Sequence, residues 1–267
     1  MKYLCAILVL SAFFGSSHAG DWGKAVLDKT PIEECYDLGG EISSGYMTDY
    51  IYYGVRYARD SVWSDVNYTF DSLAFPITVG AWYLNSNDDA VGLDELDLYA
   101  SVALGTYAGF DLDLGYTHFY FPESAGFHYG ELALDIYRSL GFVDFIAEAS
   151  YTFSGLGNQS GGWYYQAGVE KSFALTDATS LVLAAGVAYS DGYYSSPKIG
   201  LLNGGDSGFN HYYATASLPI ALNCRATLTP YIGYNGSPDG WIVDEIDGGF
   251  GPQSDILHSG VTLTVSF

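Results

Sequence analysis

The chain of 267 residues carries 9 Lys plus Arg against 31 Asp plus Glu, a formal net charge of −22. Nucleic-acid binding depends on neutralising phosphates with Lys and Arg, so nucleic acid is excluded as a partner. A disordered polyanion is excluded as well, because 25 Tyr, 15 Phe and 5 Trp supply far more apolar surface than such chains hold.

Residues 1–19 read as a cleaved signal peptide: basic Lys2, an apolar run from Tyr3 to Phe14, then the small residues Ser17 and Ala19 before the cut. The run is shorter than the roughly 18 apolar residues that cross a bilayer as a helix. Cys5 leaves with this segment, and the loss of Lys2 makes the exported chain net −23. Residues 20–36 form a short periplasmic lead containing Cys35. Its counterpart Cys224 makes an even pair, and in an oxidising compartment a Cys35 to Cys224 disulfide is expected.

From residue 37 to 267 no long helical period occurs, and alternation recurs instead. Along 94–104, Leu96, Leu98, Ala100, Val102 and Leu104 share one parity while Glu95, Asp97, Tyr99 and Ser101 share the other. Successive strand side chains point to opposite faces, so each such segment has one apolar and one polar face. In chain order the expected strands are 37–46, 61–71, 75–84, 94–104, 109–120, 128–138, 142–153, 162–173, 179–190, 209–221, 225–234 and 256–267. About twelve alternating segments of some ten residues each fit an all-β, transmembrane antiparallel up-and-down barrel. The intervening segments alternate between short and long, as periplasmic turns and external loops do. A soluble sandwich would also alternate. The placement of Tyr83, Tyr151, Phe153, Trp163, Tyr165, Tyr189 and Tyr234 near one set of strand ends favours an interfacial girdle, hence the barrel.

With the apolar parity towards lipid, the opposite parity places Glu41, Asp65, Asn67, Glu95, Asp97, Asp111, Asp113, Glu131, Asp135, Asp144, Glu148, Gln166 and Glu170 in the lumen, with Arg225 almost alone as an inward cation. Acids that cannot all be paired make a lumen attractive to cations and repulsive to anions. Arg56 and Arg59 fall in the first external loop, where they are candidates for a constriction, and Lys198 falls in a later one. Asp239, Asp244, Glu245 and Asp247 crowd the last loop without the spacing of a calcium loop, so no metal site is assigned. No nucleophile and base stand in a catalytic pattern; His118 with Asp113 or Glu131 is the nearest approach, and neither an enzyme nor a cofactor is expected.

Two resemblances follow from particular residues. Leu263-Thr264-Val265-Ser266-Phe267 resembles the terminal strand signal of outer-membrane proteins, which implies the barrel-assembly machinery as a partner through Phe267. Residues 42–63, and Thr48-Asp49-Tyr50-Ile51-Tyr52-Tyr53-Gly54 within them, resemble the opening of a family of uncharacterised, porin-like Gram-negative outer-membrane proteins with an SDYVFRG-like segment. This chain departs from that segment where Phe-Arg becomes Tyr52-Tyr53, the nearest arginine being Arg56. The resemblance implies an outer-membrane location among lipid and lipopolysaccharide.

The expected function is a narrow porin-like channel for passive diffusion of small cationic or neutral solutes. The alternatives are a non-conducting structural barrel and one whose external loops bind a surface partner.

Overall fold

The computed structural model describes residues 38–89, 94–123, 128–153, 161–193, 207–243 and 254–267. The expected signal peptide, the lead with Cys35, Lys198, Asp244, Glu245 and Asp247 lie outside the described residues. Thirteen strands form one antiparallel sheet: β1 (Gly40–Tyr52), β2 (Val55–Phe70), β3 (Ile77–Asp89), β4 (Glu95–Tyr107), β5 (Phe110–Tyr120), β6 (His128–Ser139), β7 (Asp144–Phe153), β8 (Gly162–Thr176), β9 (Thr179–Asp191), β10 (Ser207–Ser217), β11 (Ile220–Ala221), β12 (Ala226–Gly236) and β13 (Asp255–Ser266). Leu218 and Pro219 interrupt one stave, so β10 and its short continuation β11 lie between the same neighbours, β9 and β12. The result is a closed barrel of twelve staves, and among the described residues there is no helix.

Closure follows from β13 pairing with β1, Glu41 opposite Ser266 and Met47 opposite Gly260. The terminal residue secures this seam. The Phe267 amide donates to the Gly40 carbonyl at 2.9 Å, while the Leu38 and Gly40 amides donate to the Phe267 carbonyl at 3.0 and 3.1 Å. A β-carbon at position 40 would collide with the Phe267 ring, so a glycine there lets the ring lie across the seam. In a bilayer an open sheet edge would strand backbone donors and acceptors in hydrocarbon, and closure removes that edge.

The outer face is apolar: Val62, Val66, Val79, Leu98, Val169, Leu183, Ile232 and Leu263 are all exposed. At the ends on the side of the β1–β2 turn, Tyr83, Phe153, Trp163, Tyr165 and Tyr189 are exposed, and Trp163 stacks on Tyr165 with centroids 5.9 Å apart. Tyr68, Phe70, Phe75, Tyr107 and Phe142 are exposed at the opposite ends. An apolar band between two aromatic girdles is the outer surface of a membrane barrel.

Two departures from the sequence reading bear on its named residues. The first external connection is not a loop around residues 47–60 but the two-residue turn Tyr53-Gly54, since β1 runs to Tyr52 and β2 begins at Val55. Both central residues have positive φ, 48° and 85°, the signature of a type I′ hairpin turn. Arg56 and Arg59 therefore sit on strand β2, not in a loop. Arg225 lies in the exposed connection 222–225, one residue ahead of β12, and so stands at the rim and not on a stave. Its backbone carbonyl accepts from the Ser266 amide, at the end of the barrel where β1 begins and β13 ends.

Candidate functional site

The tip of the β1–β2 hairpin turns into the barrel. Tyr50, Tyr52, Tyr53 and Val55 are each at most 5% exposed, although an external turn would leave them in water. The pairing of β1 with β2 slips between Tyr50 and Ile51, and such a bulge bends a ribbon. Five staves separate β1 from β7 in either direction around the barrel. The Tyr53 hydroxyl nevertheless lies 2.7 Å from Glu148 Oε1 and 2.6 Å from Ser150 Oγ, both on β7, and 2.8 Å from Glu131 Oε1 on β6. Tyr52 donates to both oxygens of Glu131 at 3.0 and 3.1 Å. The hairpin thus spans the interior and docks on the far wall.

Its dock is aromatic on the faces and acidic at the end. The Tyr53 ring stacks on Tyr164 of β8 at 3.6 Å and on Tyr52 at 4.2 Å, with Tyr193 edge-on at 5.0 Å. Phe119 of β5 meets Tyr52 edge-on and stacks on Tyr129 of β6. A second bulge prepares the seat for the turn. Between Phe209 and Tyr212 the register of β10 against β9 shifts, so that consecutive residues Asn210 and His211 are both buried. Asn210 Nδ2 donates to the Tyr53 carbonyl at 2.7 Å. The His211 ring covers Gly54, where an added β-carbon would come within 2.5 Å of it. Only glycine combines that approach with a φ of 85° at no steric cost.

The acids named from the sequence stand on the strand parity opposite the exposed apolar residues. Asp65, Glu95, Asp97, Asp113, Glu131, Asp135 and Glu148 are buried, whereas Glu41, Asp111, Asp144 and Glu170 are partly exposed. Register places Asp113, Asp135, Glu148 and Gln166 side by side on β5, β6, β7 and β8. On the other wall, Asp65 accepts from the Tyr99 hydroxyl at 3.0 and 3.1 Å. Glu131 is satisfied by hydroxyls, since Thr152 adds a 2.9 Å bond to those of Tyr52 and Tyr53. Glu148 Oε1 also accepts from Ser150.

The arginines occupy the stem of the hairpin. Arg56 Nη1 lies 2.9 Å from Asp49 Oδ1, with both side chains about one-tenth exposed, and Arg59 lies 3.9 Å from the same oxygen. The groups that enter the lumen at the tip are therefore the aromatic rings. Cys224 is disulfide-bonded and stands in the exposed 222–225 connection; Cys35 lies outside the described residues. His118 shares its parity with Leu112, Leu114 and Tyr116, facing outward beside His128 with ring centroids 5.2 Å apart, and so lies on the opposite face from Asp113 and Glu131. Among the described residues no three His, Cys, Asp or Glu side chains converge to hold a metal ion.

Sequence reading gave no interior role to Tyr52, Tyr53, Tyr164, Asn210 or His211. The available signal was the Tyr-Gly pair between two alternating runs, since a glycine at the second turn position marks a two-residue hairpin.

Several solved structures share the fold. A KdgM porin superposes with a TM-score of 0.50 at 8% identity, covering 85% of this chain and 99% of that one. An outer membrane channel from Pseudomonas putida F1 gives 0.52 at 12% identity, covering 90% and 100%. A KdgM porin in complex with disordered oligogalacturonate gives 0.52 at 7%, covering 85% and 99%. None of the curated protein sequences matches the chain. A family described as "Bacterial protein of unknown function (Gcw_chp)" matches residues 33–201, well over half of the sequence, and the chain belongs to that family.

Proposed function

We propose that the protein is a porin-like channel of the bacterial outer membrane. In this reading it is exported by cleavage of residues 1–19, carries small cationic or neutral solutes passively through an acidic lumen, and is narrowed from within by the β1–β2 hairpin. The observation that carries it is the row Asp113, Asp135 and Glu148, adjacent in register on three staves. Among the described residues Arg56 and Arg59 both reach Asp49, and no Lys or Arg lies within ion-pair distance of this row. Acidic side chains without a basic partner make a lumen attractive to cations and repulsive to anions. The fold shared with the KdgM porin, in two of its structures, and with an outer membrane channel supports the channel reading.

Constriction passes, in this proposal, from the arginines to the rings of Tyr52 and Tyr53. That docked tip also favours a second reading, a barrel that conducts nothing and serves as a structural or surface-binding element. Planar-bilayer recording with a salt gradient separates them. The channel reading expects discrete conductance steps and a reversal potential of cationic sign; a silent bilayer supports the second reading, and anion selectivity contradicts the acidic lumen.

A further inference from the structure

We propose that Asp135 and Glu148 form a binding site for a compact primary ammonium ion on the inner wall beside the docked hairpin. The two residues are register partners on β6 and β7, and they are 5% and 2% exposed. Glu131 nearby has both oxygens filled by hydroxyl donors. This pair is different. Asp135 Oδ1 and Glu148 Oε2 are buried with no hydrogen-bond partner among the described residues, although the other Glu148 oxygen is held by Tyr53 and Ser150. Buried acceptors left open are costly, and open carboxylate oxygens call for donors that bring positive charge.

The arrangement selects among cations. Calcium takes six to eight oxygen ligands, and no cage of three or more metal-binding side chains exists among the described residues. Register partners on adjacent strands instead bring two unpartnered carboxylate oxygens to the same inner face, which suits an ammonium group with three donors. Gln166, the register partner of Glu148 on β8, accepts from the Tyr164 hydroxyl at 2.6 Å. The Tyr164 hydroxyl therefore stands at the edge of the site, where its oxygen can accept a hydrogen bond from an ammonium group. The docked Tyr53 limits the occupant to a small one.

The proposal deepens the cation-attracting interior of the channel reading, yet binding in detergent requires no conduction. The full mature protein, refolded in detergent, is titrated calorimetrically with methylammonium chloride, tetramethylammonium chloride and sodium chloride. Saturable binding of methylammonium is expected, at least tenfold tighter than tetramethylammonium, which has no donors, or sodium. Asp135→Asn and Glu148→Gln are each expected to weaken it tenfold or more, while Glu41→Gln at the rim changes it less than twofold. No saturable binding, equal binding of tetramethylammonium, or unchanged affinity in both variants would overturn the site. The wild-type comparison of the three salts decides even where a variant fails to refold. Binding without conductance would leave the site standing and sink the channel, and conductance without binding would do the reverse.

Discussion

Replacing Tyr53 by glycine removes the contact that holds the hairpin across the barrel. The lost hydroxyl bonds to carboxylates are worth about 1.5–3 kcal/mol together, at the level of one charged hydrogen bond, because water replaces part of what is lost. The lost stacks on Tyr164 and Tyr52 add about 0.5–1.5 kcal/mol each. Against this, Tyr53 sits at φ 48°, and glycine relieves about 1–2 kcal/mol of left-handed strain there. The docked position is thus weakened by about 3 kcal/mol, or roughly a hundredfold in the ratio of docked to undocked hairpin. Single-channel recording of Tyr53→Gly should show a higher open probability and a larger main conductance than the parent. A variant that folds, as judged by its heat-dependent shift on gels, and conducts like the parent would refute the idea that this ring narrows the lumen.

Other expectations follow from the same geometry. Gly54→Ala places a methyl group against the His211 ring in a left-handed backbone, at a cost of about 1–2 kcal/mol, so it should loosen the hairpin in the same recordings, more weakly than Tyr53→Gly. A conductance below that of the parent would contradict that placement. The Cys224 disulfide should map to Cys35 in peptides digested without reduction, and Cys35→Ser should leave Cys224 open to alkylation. Alkylation of both cysteines in the unreduced parent would rule that pairing out. Deleting Phe267 removes three backbone bonds at the β1–β13 seam and should lower the yield of folded barrel in membranes severalfold; unchanged yield would show that the seam closes without it.

The staves were legible because lipid on one side and a polar interior on the other impose a strict period of two. Val62 and Val66 against Ser61 and Asp65 announce their faces without any tertiary information. The docked hairpin was not legible, for the opposite reason. Around Tyr50 to Ala58 both faces meet protein, so aromatic and charged residues occupy either parity and the pattern reads as loop. Asn210 and His211 were missed because a bulge turns two consecutive residues inward, which alternation cannot express. Arg225 keeps the inward parity of Thr229 and Tyr231 but precedes β12 by one residue, so it stands in the exposed connection at the rim, where a turn and a stave share polar composition. The row Asp113, Asp135 and Glu148 needed register as well as parity. Each strand predicts a face, but only pairing puts those three at one height.

The measurement closest to the central claim is the permeability ratio of potassium to chloride, compared between the parent and a variant carrying Asp113→Asn, Asp135→Asn, Glu131→Gln and Glu148→Gln. Interior carboxylates that set the field predict a ratio above one in the parent that falls towards one in the variant. A parent that prefers chloride, or a variant whose preference is unchanged, would contradict the account.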